Sequence, residues 1–187
     1  VAASLLLTGP GTPYLYYGEE IGMTGRKPDE HIRTPMPWSA KFGAGFTIGE
    51  PWMPLNDDYT TKNVTAQVHD PDSLLHHYRR LIALRRATPA LHSGEVIVLE
   101  TGNPAVYAIL RRPGNQTALV LINLGHRTVS EYGWGQSDSR LADGMYRPRA
   151  VFGEGQAADL PVGLEGFSDY VPMPELPGYT TCVFLLK

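Results

Sequence analysis

The run Tyr14-Leu15-Tyr16-Tyr17 places bulky side chains on both faces of an extended segment, and it limits the available folds more than any other feature. Thr12 stands before Pro13, and a residue before proline avoids the helical region, so the backbone enters the run extended. Strands loaded on both faces are typical of parallel sheets buried between helices, whereas a hairpin strand keeps one wet face. Such a strand needs neighbours on both sides, and no matching run follows as far as about residue 90. The neighbours are therefore expected before residue 1. VAASLLL has no initiator Met and no basic flank, and it reaches Gly9-Pro10-Gly11 too soon for a signal peptide or a membrane span. It reads as the last turns of a helix entered part-way along, which makes the chain the expected C-terminal part of a larger protein.

Residues 24 to 69 are rich in Pro, Gly, Asp and Thr, yet they carry Trp38, Trp52, Met36, Phe42, Phe46 and Met53. Long irregular connections are uncommon unless functional, and this much apolar area argues against disorder. A helix is predicted from Asp70 as N-cap and Pro71 in the first turn to about residue 87, ended by Pro89. Its Leu74, Tyr78, Leu81 and Ile82 recur at helical spacing. After Ser93 the period changes to that of strands: Glu95 to Leu99, Ala105 to Arg111, Thr117 to Asn123 and Thr180 to Leu186, with a further short strand near Met145 and a turn at Pro113-Gly114-Asn115. The second half is therefore an antiparallel β domain with uneven loops.

Charge and cysteine content narrow the partners. With 16 Lys+Arg against 19 Asp+Glu the formal charge is -3, so no basic field exists for a phosphate backbone, and nucleic acid is not an expected partner. No membrane partner is expected either; the segment reads as soluble and without a targeting sequence. The single cysteine, Cys182, lies in the apolar run TTCVFLL and is expected to be a small buried residue.

Gly11-Thr12-Pro13-Tyr14-Leu15-Tyr16-Tyr17-Gly18-Glu19-Glu20-Ile21-Gly22-Met23 closely resembles the eighth barrel strand and following turn of the α-amylase superfamily, glycoside hydrolase family 13. Ile32-Arg33-Thr34-Pro35-Met36-Pro37-Trp38-Ser39 and Gly45-Phe46-Thr47-Ile48-Gly49-Glu50-Pro51-Trp52 resemble the next blocks in oligo-1,6-glucosidases, α-glucosidases and bacterial α-amylases. The resemblance implies an α/β fold: the last part of a (β/α)8 TIM barrel followed by an antiparallel β-sandwich, domain C. Residues 1–90 would supply the end of helix 7, strand 8, a long active-site loop and helix 8, and residues 91–187 domain C. It further implies a retaining hydrolase of α-1,4-linked glucans or maltooligosaccharides. An α-glucosidase, a transglycosylase and a noncatalytic carbohydrate-binding or partner-stabilising member are the alternatives.

Three acids carry the family's chemistry, after the fourth, fifth and seventh strands, so none is expected in this chain. The segment alone is accordingly expected to be inactive and to require the N-terminal barrel portion, on the same or a separate chain. By the same resemblance Arg33 is the principal substrate-binding candidate, because its planar fork of donors suits sugar hydroxyls and carboxylates. Glu20 and His31 are secondary candidates for sugar contact. Glu19 is expected to cap or pair within the barrel, and Trp38 and Trp52 to anchor their loops. Asp57 and Asp58 supply too few ligands for calcium and read as solvated loop residues. No metal site or cofactor is expected in this segment, with calcium left open for the complete enzyme. The short stretch from Gly25 to Arg33 departs from the longer insertion of oligo-1,6-glucosidases and favours α-amylases or short-loop α-glucosidases.

Overall fold

A computed structural model describes residues 1–114, 116–137 and 141–187, so Asn115 of the predicted turn lies outside the described residues. Contacts divide the chain into two compact units, one formed by Val1–Thr12 with Ala83–Lys187 and the other by Pro13–Ile82.

The first unit is built on a five-stranded antiparallel sheet in the order β1 (Glu95–Val98), β2 (Val106–Arg112), β3 (Thr117–Asn123), β9 (Thr181–Leu186), β6 (Pro148–Phe152). Two short ladders complete it, β4 (Trp134–Gln136) with β8 (Phe167–Tyr170) and β5 (Gly144–Tyr146) with β7 (Leu160–Val162). Strand β3 pairs with β2 on one side and β9 on the other, and every residue of β3 and β9 is buried. Because side chains alternate across a sheet, this burial means that both faces are covered. On one face Ala108, Leu110, Leu119, Leu121, Cys182 and Phe184 join Trp134, Phe167 and Tyr170 of the β4/β8 ladder in one core. Trp134 and Tyr170 meet edge to face with ring centres 5.5 Å apart. The polar ends of buried aromatics are satisfied: the Tyr132 and Tyr170 hydroxyls donate to the Met173 and Ala158 carbonyls, each at 2.7 Å.

Helix α1 (Ala2–Thr8) belongs to this unit and shows how its polar backbone is closed. The last carbonyls of a helix lack internal partners. Here the Arg85 guanidinium donates to the carbonyls of Leu7 (2.8 Å), Gly9 (3.1 Å) and Gly11 (2.7 Å). From β2 the fully buried Arg111 donates to the carbonyls of Thr8 (3.3 Å) and Leu91 (3.4 Å). Thr181 adds a 2.8 Å hydrogen bond to the Ser4 hydroxyl. Two cations at a helix C-terminus also complement its dipole.

In the second unit the predicted buried strand is corrected. Residues 12–16 adopt no regular structure, and the side chains of Tyr14 to Tyr17 are exposed, Tyr14 by 85%. The physical reason is backbone pairing: among the described residues every strand pair is antiparallel and lies in the other unit, so nothing completes a parallel ladder here. After a short helix α2 (Val64–Val68), the predicted helix forms as α3 (Leu74–Ala87), but it starts later than Asp70. Asp70 instead closes a turn, its carboxylate accepting from the Asp72 amide at 2.9 Å, and the Ser73 hydroxyl caps the helix by accepting from the His76 amide at 3.3 Å. A free amide of the first turn, that of Leu75, is taken up by the Gln67 side chain at 3.1 Å. No helix among the described residues is long and apolar enough to cross a membrane.

Burial acts on the acidity of the first unit's core. It pushes the Cys182 thiol from 9.0 up to about 11 and the Tyr132 hydroxyl from 10.0 up to about 12. The folded state holds these protons more tightly than the unfolded chain, so their contribution is complete below about pH 9 and is lost as pH rises through the folded values. The urea midpoint is expected to fall between about pH 9 and 12, less steeply in Cys182→Ala, while iodoacetamide at pH 8 labels Cys182 only after unfolding. Replacing Arg85 by Ala, which strands three carbonyls, is expected to cost about 1.5–3 kcal/mol in denaturant unfolding; Arg85→Lys should recover only part of it, lacking the fork.

Candidate functional site

The site is built from the turn that follows the extended segment. Gly18 (φ 85°) and Gly22 (φ 72°) bracket a 3-10 turn, Glu19–Ile21, and both occupy the left-handed region that glycine enters without steric cost. The Gly18 carbonyl accepts from the Ile21 amide at 3.3 Å and the Met23 amide at 2.9 Å, so the turn closes on itself. A Cβ at Gly18 would sit 2.3 Å from the Met23 sulfur. Beneath the turn, Ile21, Met36 and Leu75 form a small core with Met23 and Val64 packed against it. Gln67 reinforces this junction by donating to the Ile21 carbonyl at 2.8 Å.

This turn and the Arg33–Trp38 block together form an open, mostly apolar hollow of about 390 Å³. Arg33, Glu20, Tyr17, Trp38, Phe46 and Trp52 line it, with Thr34, Pro35 and Met36. The two tryptophans correct the expectation that they anchor their loops: Trp38 is 50% and Trp52 59% exposed. What holds the loop at residue 38 is its backbone, whose carbonyl accepts from the Thr65 amide (3.0 Å) and hydroxyl (2.8 Å), leaving the indole outside.

Arg33 ends a second 3-10 turn, Asp29–Ile32. Its guanidinium donates to the Asp29 carboxylate at 3.0 Å, and Lys27 pairs with the other oxygen of the same carboxylate. Glu20 is half-buried and faces the same hollow, whereas Glu19 is exposed. Burial raises the Tyr78 hydroxyl pKa, and the Glu19 and Glu20 carboxylates add to that shift. Tyr17 is also raised, chiefly by burial and then by Tyr16, with Arg33 pulling the other way.

His31 lies elsewhere. It is exposed and lines a separate hollow of about 430 Å³, of mixed character, with Thr24, Arg26, Asn56, Asp57, Asp58 and the apolar Met53 and Leu55. Thr34 belongs to the walls of both hollows. Asp58 pairs with Lys62 at 2.6 Å, one turn along the chain. Among the described residues no group of three or more His, Cys, Asp or Glu is arranged to hold a metal ion. Thus Arg33 and Glu20 line one hollow and His31 another, while Tyr17 and Phe46 in the first and Asn56 in the second are lining residues that sequence reasoning did not single out for a site. Phe46 was recognisable as an aromatic in a loop block; nothing in the sequence marks Asn56.

Chemically, the first hollow offers aromatic faces beside one cation and one carboxylate, a combination able to take a ring with an apolar face and polar edges. The family described as the alpha amylase catalytic domain matches residues 1–94. An oligo-1,6-glucosidase of Parageobacillus thermoglucosidasius is 32% identical over 163 residues, covering 67% of this chain and 29% of that protein. The trehalose-6-phosphate hydrolase of Escherichia coli (strain K12) is 36% identical with the same two coverages. The trehalulose synthase of Pseudomonas mesoacidophila MX-45 superposes with a TM-score of 0.74 at 26% identity, over 100% of this chain and 37% of that one. Structural relatives of this kind are TIM-barrel enzymes. The chain spans under a third of the length of these two curated relatives.

Replacing Gly18 by Ala should destabilise the turn by about 1–3 kcal/mol, since it combines a left-handed φ with a clash. Thermal unfolding would detect the loss, and a midpoint within a degree of the parent would contradict the role given to Gly18.

Proposed function

The chain belongs to the α-amylase catalytic-domain family, and from that premise we propose that it forms one wall of the substrate cleft of a retaining glycoside hydrolase acting on α-1,4-linked glucans or maltooligosaccharides. The observation that carries this reading is the meeting of Arg33 and Glu20 with exposed aromatic side chains in a single hollow. Aromatic rings stack on the apolar faces of sugars, and a guanidinium fork donates to adjacent hydroxyls in a fixed plane. In this proposal Arg33 binds and orients the sugar, and Glu20 contributes an acceptor or keeps Arg33 oriented. His31 would touch only an outer part of a longer substrate. The domain division at residues 90/91, barrel end before and domain C after, is part of the same proposal.

The bond-breaking carboxylates would come from the rest of the barrel, which we propose as the obligatory partner of residues 13–17. The exposed aromatic run supports this, as does the chain's coverage of only part of its relatives. Two carboxyl groups about 5–5.5 Å apart would serve retaining hydrolysis, one attacking the anomeric carbon and the other protonating the leaving oxygen. Glu19 and Glu20 are a poor substitute, since the first is exposed and the second lines the hollow.

An α-glucosidase acting on short substrates is the second reading, favoured by the α-glucosidase relative; the short Gly25 to Arg33 stretch suits it and an α-amylase alike. Maltotriose and maltoheptaose distinguish the two: internal cleavage of the longer sugar marks an α-amylase, and stepwise loss of glucose an α-glucosidase. The complete protein is expected to release products with the α-anomer retained, followed by proton NMR, and residues 1–187 alone to release none. Inverted product, or turnover by the rigorously purified chain, would refute the proposal.

A further inference from the structure

We infer that Thr34 and Asn56 form a positioning pair that holds the wall between the two hollows and thereby sets the aim of Arg33, an inference that rests on the sugar-binding reading of Arg33. Thr34 lines both hollows and is buried, while Arg33 beside it is exposed. It is held at two points. Its carbonyl accepts from the Tyr17 hydroxyl at 3.1 Å, and its own hydroxyl donates to the Asn56 side-chain oxygen at 3.0 Å. The Asn56 amide group then donates to the Thr24 carbonyl at 3.1 Å.

Tyr17 closes the extended segment, Thr24 follows the Gly18–Gly22 turn, Thr34 stands in the Arg33 block, and Asn56 comes from the next loop. None of these stretches lies in a helix or strand, so no regular ladder fixes their spacing. One threonine and one asparagine do so instead, using each side chain's donor and acceptor capacity in a single chain of bonds. The Arg33 guanidinium itself is held by an ion pair with Asp29, in which both side chains are about half exposed. Water and mobile ions compete with such a pair, so it restrains the guanidinium weakly. The hydrogen bonds at buried Thr34 are better shielded, and they fix the backbone from which the Arg33 side chain projects. Binding groups lose effect steeply when misplaced by about 1 Å, so backbone anchoring beside a long side chain has kinetic weight.

Neither residue is required to touch the sugar, which gives the test its form. In the complete protein, kcat, KM for maltotriose and the thermal midpoint are measured for Thr34→Val, Thr34→Ser, Asn56→Ala and Arg33→Ala. Thr34→Val keeps the shape and removes the hydroxyl; Thr34→Ser keeps the hydroxyl. The expected result is a KM raised roughly five- to tenfold in Thr34→Val and Asn56→Ala, with kcat nearly unchanged and Thr34→Ser near the parent. The Thr34→Val/Asn56→Ala double variant should be no worse than the poorer single one, because both remove the same bond. Should Thr34→Val fail to fold, Asn56→Asp, which keeps the acceptor and loses the donor to Thr24, is expected to raise KM in the same way. An impaired Arg33→Ala alongside unchanged Thr34→Val and Asn56→Ala kinetics would overturn the positioning role and leave the reading of Arg33 standing. Unchanged kinetics in Arg33→Ala would instead remove that reading.

Discussion

The need of a buried strand's backbone for hydrogen-bond partners on both edges governs this structure. Strand β3 has them, from β2 and β9, and around it the molecule assembles a sheet whose central residues are completely buried. Residues 14–17 are bulky and suited to a strand, yet they remain irregular and exposed because the described residues supply no parallel neighbour. Hydrophobicity makes a strand worth burying, but it does not provide the ladder. The same constraint explains why two buried or half-buried arginines gather the end of α1: carbonyls that no strand or helix completes must be met by side chains.

At the candidate site the backbone is irregular and the ordering falls to a few polar side chains and two glycines. Gly18 and Gly22 make a turn that residues with a Cβ would strain. Gln67 reaches both that turn and the start of α3. Tyr17, Thr34 and Asn56 connect loops that share no regular structure. The aromatic side chains at the surface are therefore carried on loops pinned through their backbones, which allows large apolar area to face a cleft without the loop itself being packed away. This arrangement suits a family whose sites vary mainly through the loops above a common barrel.

Local rules in the sequence were sufficient wherever an interaction closes within a few residues. The helix to Ala87 followed from Pro89 and the spacing of its apolar residues, and Thr117 to Asn123 from an unbroken β-branched and aliphatic run. Local chemistry pointed to Asp70 as the N-cap, whereas the folded chain caps the helix with the Ser73 hydroxyl and gives the Leu75 amide to the Gln67 side chain, a partner eight residues away. Short strands such as Trp134–Gln136 and Phe167–Tyr170 were illegible because each is too brief to show a period and is stabilised by cross-ladder aromatic contact.

The motif residues themselves determined the family and the candidacy of Arg33, Glu20 and His31, since these depend on residue type and order along the chain. Tertiary structure decided which of them share a hollow. Arg33 and Glu20 do, His31 does not, and Trp38 and Trp52 join the first two instead of anchoring their loops. The physical reason is that side-chain convergence depends on bonds between segments far apart in sequence, such as Tyr17 to Thr34 and Thr34 to Asn56, and no local propensity encodes a distance between loops.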